Sequence, residues 1–287
     1  MIMRLLYIAA IIGTASAARA QEQQPSSTPT VRVASDTTDD TDQDATVLAK
    51  QLQNPFGKLY YFQFQNNTNL NNGPHKGTQN VLNFQPIIPI QVNENWNIIT
   101  RTILPLIWEP SQRPAHTVPF GTGPTTFSAF LSPSRANNGW LWGIGPIVQL
   151  PTISNATLGS NVWGAGPTGA VVYLQGPWVA GVLVNDVWSL GGTTGHGGTH
   201  YNNFLTQIFV NYNFSGGWYV GSEPIITARW PATANKAWTL PVGAEVGRVM
   251  IVKGKLPINL QFGAYYNTIR PESGSAWQLR TEVTFIF

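Results

Sequence analysis

The 287-residue sequence lacks cysteine altogether, and charged residues make up only 10% of it. The missing cysteines exclude disulfide bonds and thiol chemistry. The low charge is unlike that of soluble domains, in which about 25% of residues are charged. After residue 20, no apolar run approaches the roughly 20 residues that a membrane-spanning helix needs. If the chain crosses a bilayer, it must therefore do so as β-strands.

The first 20 residues have the pattern of a secretory signal peptide. Arg4 precedes an apolar run, and small residues follow it, with cleavage expected after Ala20 or Ala17. Residues 21–45 are acidic and rich in Gln, Ser, Thr and Pro, so we expect a disordered segment. Residues 46–56, "TVLAKQLQNPF", predict one or two helical turns, and two roles remain open for them. They would either plug a lumen or form an inactive periplasmic stub.

From residue 57 to residue 287 the sequence falls into twelve alternating runs, each long enough for a tilted bilayer-crossing strand. The breaks between the runs alternate between long loops and tight turns, which is the arrangement of an outer-membrane barrel. Ten of the eleven tryptophans lie at run ends, as expected for two aromatic girdles at the membrane surfaces. The sequence therefore predicts an all-β fold, a transmembrane antiparallel up-and-down β-barrel of about 12 strands. We expect bulges or breaks at the prolines inside runs, namely Pro86, Pro105, Pro146, Pro167 and Pro224.

Polar and charged residues occupy one face of most runs. A charge on the lipid face at mid-depth costs about 2–4 kcal/mol, so these residues should point into the lumen. Two interpretations are open: a water-filled path with a mixed-charge constriction, or an occluded filling of paired polar groups. The candidate pore-lining residues are Arg101, Glu223, Arg229, Glu245, Arg280, Glu282, Gln85, Gln207, Asn211 and Gln261.

The sequence does not predict an enzyme, a metal site or a cofactor. All four histidines fall in long loops, and the pair His196 and His200 lies on a glycine-rich stretch that does not fix its geometry. No histidine lies on a predicted strand beside an acid or a serine, as an outer-membrane hydrolase would need.

Several collinear segments resemble a known family of proteobacterial outer-membrane proteins. These proteins are catalogued as "transporter", filed under the meta-pathway of phenol degradation, and often mislabelled as neuromedin U. The resemblance covers about residues 46–287 and implies an outer-membrane β-barrel, but it carries over neither a substrate nor functional residues. The terminal Phe287 also resembles the C-terminal signature that the barrel-assembly machinery recognises in its clients. The segments that carry the family resemblance are "LAKQLQNPFGKLYYFQFQNN", "NFQPIIPIQVNENWNIITRTILPLIW", "WGIGPIVQLPT", "WGAGPTGAVV" and "GVLVNDVWS".

We therefore expect a channel or passive transporter in the outer membrane of a Gram-negative cell, reached through the cleaved signal peptide. Its solutes would be small, aromatic or hydrophobic ones included. The expected partners are outer-membrane lipid, a small-molecule solute and, through Phe287, the barrel-assembly machinery, with no nucleic acid. A non-transporting structural or surface-binding barrel is the alternative, and an outer-membrane hydrolase is a third hypothesis.

Overall fold

The computed structural model describes residues 36–110, 119–191, 200–253 and 255–287. These residues form two α-helices, two short 3₁₀ turns at Ala156–Leu158 and Ser215–Gly217, and fourteen β-segments. The helices are α1 (Asp36–Leu52) and α2 (Ala234–Ala237). The β-segments are β1 (Tyr61–Asn72), β2 (Gly77–Gln91), β3 (Trp96–Trp108), β4 (Phe120–Thr122), β5 (Thr125–Pro133), β6 (Trp140–Leu150), β7 (Gly164–Gln175), β8 (Trp178–Ser189), β9 (Asn202–Asn213), β10 (Trp218–Ser222), β11 (Ile225–Arg229), β12 (Trp238–Val252), β13 (Leu256–Ile269) and β14 (Trp277–Ile286).

These segments close into one antiparallel barrel of twelve strands. Segments β4 and β5 both pair with β3, and β10 and β11 both lie between β9 and β12, so each couple forms a single barrel strand. The last strand, β14, pairs with β13 on one side and with β1 on the other, which closes the ring. The prediction of a twelve-stranded up-and-down barrel is confirmed. The two ends of the barrel are named here the short-turn end, where Tyr60 and Phe287 meet, and the loop end.

The strands expose apolar side chains and bury polar ones, the reverse of a water-soluble protein. Ile144 and Phe262 on the outside are 60% and 50% exposed, whereas Gln85 and Arg280 on the inside are 1% and 0% exposed. An apolar outer surface of this extent is solvated by lipid tails, so the barrel spans a membrane. Tryptophans lie at both strand ends, as in the contacts of Trp96 with Trp142 and of Trp230 with Trp238.

The five strand prolines coincide with local interruptions of the hydrogen-bonded ladders, as predicted. The clearest case is Pro224, which lies between β10 and β11. Pairing is also interrupted beside Pro86, Pro146 and Pro167, while the partner of β3 changes from β5 to β4 beside Pro105. The physical reason is the same at each position, because proline has no N–H to donate.

The N-terminal prediction needs correction. Helix α1 begins at Asp36, so residues 36–45 lie in a helix and not in the expected disordered segment, and the helix ends at Leu52 rather than at residue 56. The acidic side chains remain compatible with this helix because its other face is buried: Ala45 and Ala49 pack against the barrel. The predicted signal peptide and residues 21–35 lie outside the described residues. Among the described residues, no helix is long and apolar enough to cross a membrane.

Candidate site in the barrel lumen

The lumen has two unlike walls. The polar wall is built by β10–β14 and β1, and it presents amide, tyrosine and charged side chains. The apolar wall is built by β2–β9 near the short-turn end, and it presents aliphatic and phenylalanine side chains. Buried members of the polar wall include Gln65, Tyr219, Glu245, Asn259, Gln261, Tyr265, Arg280 and Glu282, and those of the apolar wall include Ile87, Ile99, Phe130, Leu141, Val172, Val179, Leu183 and Phe209.

A cavity of about 110 Å³ lies between the two walls. Five of the ten candidate pore-lining residues contribute to its surface, together with apolar side chains such as Phe130 and Phe209. Those five candidates are Arg101, Gln207, Glu223, Gln261 and Glu282.

Two carboxylates of this cavity are bound only by neutral donors among the described residues. Glu223 accepts hydrogen bonds from Asn211 Nδ2 at 2.8 Å and from Gln207 Nε2 at 3.3 Å. Glu282 accepts hydrogen bonds from four neutral side chains, which are Gln63, Gln65, Asn259 and Thr284. The candidates Gln207 and Asn211 therefore act on this cavity by holding Glu223 in place.

Arg101, on β3, lines the same cavity. Its Nε and Nη2 both donate to Gln85 Oε1, so Gln85 is a buried support for the guanidinium. Within the described ranges, no carboxylate lies close enough to Arg101 to form an ion pair.

Two of the three remaining charged candidates, Glu245 and Arg280, form a buried cluster beside the cavity. Arg280 Nη1 lies 3.6 Å from Glu245 Oε2, and this is the one ion pair among the residues that the structure describes. Tyr265 Oη donates to the same Glu245 oxygen at 2.6 Å, and the guanidinium of Arg280 lies over the Tyr265 ring. Because both charged side chains are fully buried, their charges must compensate each other.

This cluster lies against a gap in the barrel wall, which we call the seam: residues 222–226 facing residues 240–244. Backbone pairing between β10 and β12 stops at Gly221 and Glu245, and it resumes between β11 and β12 at Thr227 and Thr239. Pro224 and Pro241 cannot donate to a ladder here.

Side chains replace the missing backbone bonds along the seam. Ser222 Oγ donates to the Gly243 carbonyl at 2.7 Å, and the Glu223 N–H donates to Tyr265 Oη at 3.1 Å. Arg280 Nη1 donates to the Glu223 carbonyl at 3.1 Å. Backbone N–H and C=O groups inside a membrane need hydrogen-bond partners, and along the seam these side chains supply them.

Helix α1 and residues 53–56 close the cavity from the short-turn end; we call these residues together the plug. Leu52, Gln53 and Pro55 line the cavity. Phe56 is buried on the apolar wall, in edge contact with Phe130 at 5.9 Å between ring centroids, and Gly143 leaves room for its ring.

On the opposite side, the plug is joined to a turn and to β9 by polar contacts. The Thr46 hydroxyl accepts from the Gly217 N–H at 3.2 Å, and its one hydrogen is shared between the carbonyls of Asp42 at 2.9 Å and Phe214 at 3.3 Å. Gln53 and Asn213 exchange two amide hydrogen bonds of 3.0 and 2.9 Å. Both roles predicted for residues 46–56 stay predictions, and in the structure Leu52, Gln53 and Pro55 of this segment line the cavity.

Arg229 stands apart from the other candidates. It pairs with Asn203 on the lumen-facing register, but its side chain is exposed at the loop end, away from the cavity.

The other side of the loop end holds His200, whose Nδ1 lies 3.3 Å from Ser189 Oγ; His196 lies outside the described residues. Nearby, Tyr201 donates to the Val162 carbonyl at 3.1 Å, and burial raises the pKa of its phenol to about 12. Within the described ranges, no three His, Cys, Asp or Glu side chains are grouped as a metal site would need.

The fold and the amphipathic lumen define the class of protein, which is a transmembrane antiparallel β-barrel. No protein-family model matches the sequence, and no curated protein matches it. Solved structures do match.

The COG4313 outer membrane channel from Pseudomonas putida F1 superposes with a TM-score of 0.59 at 16% identity, over 80% of this chain and 94% of that one. The NanC porin superposes with a TM-score of 0.50 at 8% identity, over 79% and 98% of the two chains. Outer membrane phospholipase A from Escherichia coli has a TM-score of 0.41 at 14% identity, over 80% and 96%, and we base no argument on it. At these identities the likeness shows the fold and assigns no solute.

Sequence reasoning missed the apolar wall. The segment β6, "WLWGIGPIVQL", is apolar at both parities, so alternation could not distinguish its lumen face from its lipid face. A usable signal was present, because the predicted lumen-facing polar residues were nearly missing from β6, β7 and β8. A strand that has almost no polar residues on either face must present an apolar surface to the lumen.

Proposed function

We propose that this protein is a passive channel of the outer membrane for small solutes, including aromatic or hydrophobic ones. The observation that carries the proposal is the cavity inside a closed barrel, whose lining combines the apolar side chains of Ile99, Phe130 and Phe209 with the carboxylates of Glu223 and Glu282. A lumen filled for stability alone would not need two surfaces of such different polarity around an open space. The polar groups of the cavity orient a solute, and its apolar groups replace the water that a hydrophobic solute loses.

The plug gives this channel a resting, narrowed state. Its attachment combines one buried ring, Phe56, with a small number of exchangeable polar contacts at Thr46 and Gln53. Such contacts open locally at a lower free energy than the strand ladders of the barrel. Transport therefore follows movement of the plug and requires no energy source in the chain.

The test is the conductance of the purified full-length protein in planar bilayers. Steady single-channel openings are expected. A membrane that stays sealed under all applied voltages contradicts the channel and favours the non-transporting structural or surface-binding barrel. In that case the buried Arg280–Glu245 pair and the buried Phe56 fill the lumen permanently.

An outer-membrane hydrolase is supported by one contact, that between Ser189 and His200. Among the described residues the imidazole has no further hydrogen-bond partner, so no acid or amide orients it as in a catalytic triad. Phospholipid and ester hydrolysis by the wild type and by His200→Ala decides this alternative. A rate that depends on His200 would establish the enzyme.

Two partners follow from the same proposal. Lipid covers the outer apolar surface. The barrel-assembly machinery would recognise Phe287. The backbone N–H of Phe287 donates to the Tyr60 carbonyl where the barrel closes, and its phenyl group stays exposed beside Phe62. Phe287→Ala should slow insertion in a reconstituted assembly reaction and leave the fold of the inserted barrel unchanged. An unaltered insertion rate would remove this partner from the proposal.

A further inference from the structure

The charges that face the cavity do not cancel. The Glu223 carboxylate is bound by two amides, and the Glu282 carboxylate by three amides and a hydroxyl; such neutral donors stabilise a negative charge without neutralising it. Arg101 supplies one positive charge, and its hydrogen bonds go to a neutral partner, Gln85. With both carboxylates ionised, two negative charges against one positive charge give the cavity lining a formal charge of −1.

The neighbouring cluster does not change this balance. Glu245 and Arg280 are in contact with each other, so they contribute a neutral pair. Apolar side chains line the same cavity as the carboxylates, and they lower the local dielectric constant. In such surroundings an uncompensated charge acts strongly on an ion that enters.

One more side chain indicates that the cavity is built for an occupant. Gln261 is 9% exposed, it lines the cavity, and its Nε2 has no hydrogen-bond partner. Its carbonyl accepts from Tyr219 Oη at 3.0 Å, so the buried amino group is the part of this side chain that lacks a partner. A buried donor without a partner costs free energy, so an occupant with an acceptor would satisfy it.

From these observations we infer that the cavity selects small organic cations that have an apolar, ring-sized body, and that the open channel prefers cations to anions. The ammonium group lies between Glu223 and Glu282, and the apolar body lies on Ile99, Phe130 and Phe209. A hydroxyl or carbonyl on the same molecule accepts from Gln261. This inference rests on the proposed channel function for its transport half, but the binding half can be tested without it.

Binding is measured by titration calorimetry on the full-length protein in a non-ionic maltoside detergent. Three probes share one phenyl body: phenethylammonium, 2-phenylethanol and phenylacetate. We expect affinity to fall in that order. Glu282→Gln should weaken phenethylammonium binding about tenfold, because a charge-assisted contact is replaced by a neutral one, and should leave 2-phenylethanol unchanged.

Glu223→Gln is the second variant, since Glu223 has fewer internal partners than Glu282 and its replacement is less able to disturb folding. Glu272→Gln is the matched control, because it removes the same charge from the loop end, outside the cavity. Equal affinity for the cationic and anionic probes, or a Glu272→Gln effect as large as that of Glu282→Gln, overturns the inference.

The transport half is measured as a reversal potential in planar bilayers under a potassium chloride gradient. Cation preference is expected in the wild type, roughly a threefold to tenfold reduction of it in Glu223→Gln, and an increase in Arg101→Gln. Openings that prefer chloride overturn the inference and leave the channel function standing. If calorimetry shows charge-dependent binding but the bilayers show no channel openings, the cation-binding site is supported and the proposed channel function is wrong.

Discussion

The two walls of the lumen share one barrel and one kind of outer surface, yet they are stabilised in different ways. The polar wall depends on specific hydrogen bonds, in which Arg280, Glu245 and Tyr265 each have defined partners. The apolar wall depends on packing, and it is completed by Phe56, a residue that does not belong to a strand. On the polar wall, the loss of one hydrogen-bond partner therefore leaves a buried polar group unpaired and lowers stability. The apolar wall, in contrast, keeps its structure when Phe56 leaves it.

This difference assigns separate tasks to the two walls. The polar wall fixes charges and repairs the seam, so it has to be rigid. The apolar wall receives the plug through contacts that do not require a single geometry, so it can release the plug and receive a solute in its place. Four substitutions examine this division, starting with the largest expected effect.

Arg280→Met should break the polar wall. The substitution leaves the carboxylate of Glu245 buried without its cation, which costs about 3–5 kcal/mol. Unfolding in urea, followed as loss of the heat-modifiable band in detergent, measures the change. Arg229→Met is the control because Arg229 is exposed at the loop end. Equal urea midpoints for the two variants would show that the buried pair adds no stability.

Phe56→Ala should release the plug from the apolar wall. Loss of a buried phenylalanine costs about 3 kcal/mol, and here the loss falls on plug attachment rather than on the barrel. Hydrogen exchange of the α1 amides should quicken while exchange in the strands stays the same. Val47→Ala, on the exposed side of the helix, is the control. Uniform acceleration throughout the barrel would mean that Phe56 belongs to the barrel core.

Gly143→Ala should displace Phe56 without altering the plug itself. A methyl group at Gly143 would overlap the Phe56 ring, and overpacking of this kind costs about 2 kcal/mol. We expect larger single-channel conductance. Gly169→Ala on the adjoining strand is matched to it, because a methyl group there meets Ile144 at 3.5 Å and the Gly143 carbonyl at 3.6 Å, both ordinary contacts, on the lipid side. Identical conductance in the two variants would rule out Phe56 as the obstruction.

Gln53→Ala should have the smallest effect, because it removes two neutral hydrogen bonds with Asn213 at the edge of the plug. The expected loss of plug attachment is about 1 kcal/mol, again read from exchange of the α1 amides. Gln51→Ala on the exposed face of α1 should change nothing. A Gln53→Ala effect larger than that of Phe56→Ala would reverse the roles assigned to the two sides of the lumen.

The polar wall was largely predictable from the sequence, and the apolar wall was not. In β13 and β14, polar residues alternate with apolar ones, so Gln261, Arg280 and Glu282 could be placed on the lumen side from period alone. The break at Pro224 followed from its missing N–H. Neither the apolar face of β6 nor the start of α1 could be found in this way. Helix α1 is stabilised by contacts distant in sequence, such as Thr46 with Gly217, and no local pattern encodes them.

The seam changes what a point substitution can do to this barrel. Where the strands pair, the ring is held by main-chain bonds, which are the same whatever residues the strands carry, and the interruptions beside the other strand prolines are shorter than the seam. Between residues 222–226 and 240–244, continuity depends on the identity of Ser222, Tyr265 and Arg280. Evolution or an engineer could therefore loosen, tighten or widen the cylinder at this one line without rebuilding any neighbouring strand.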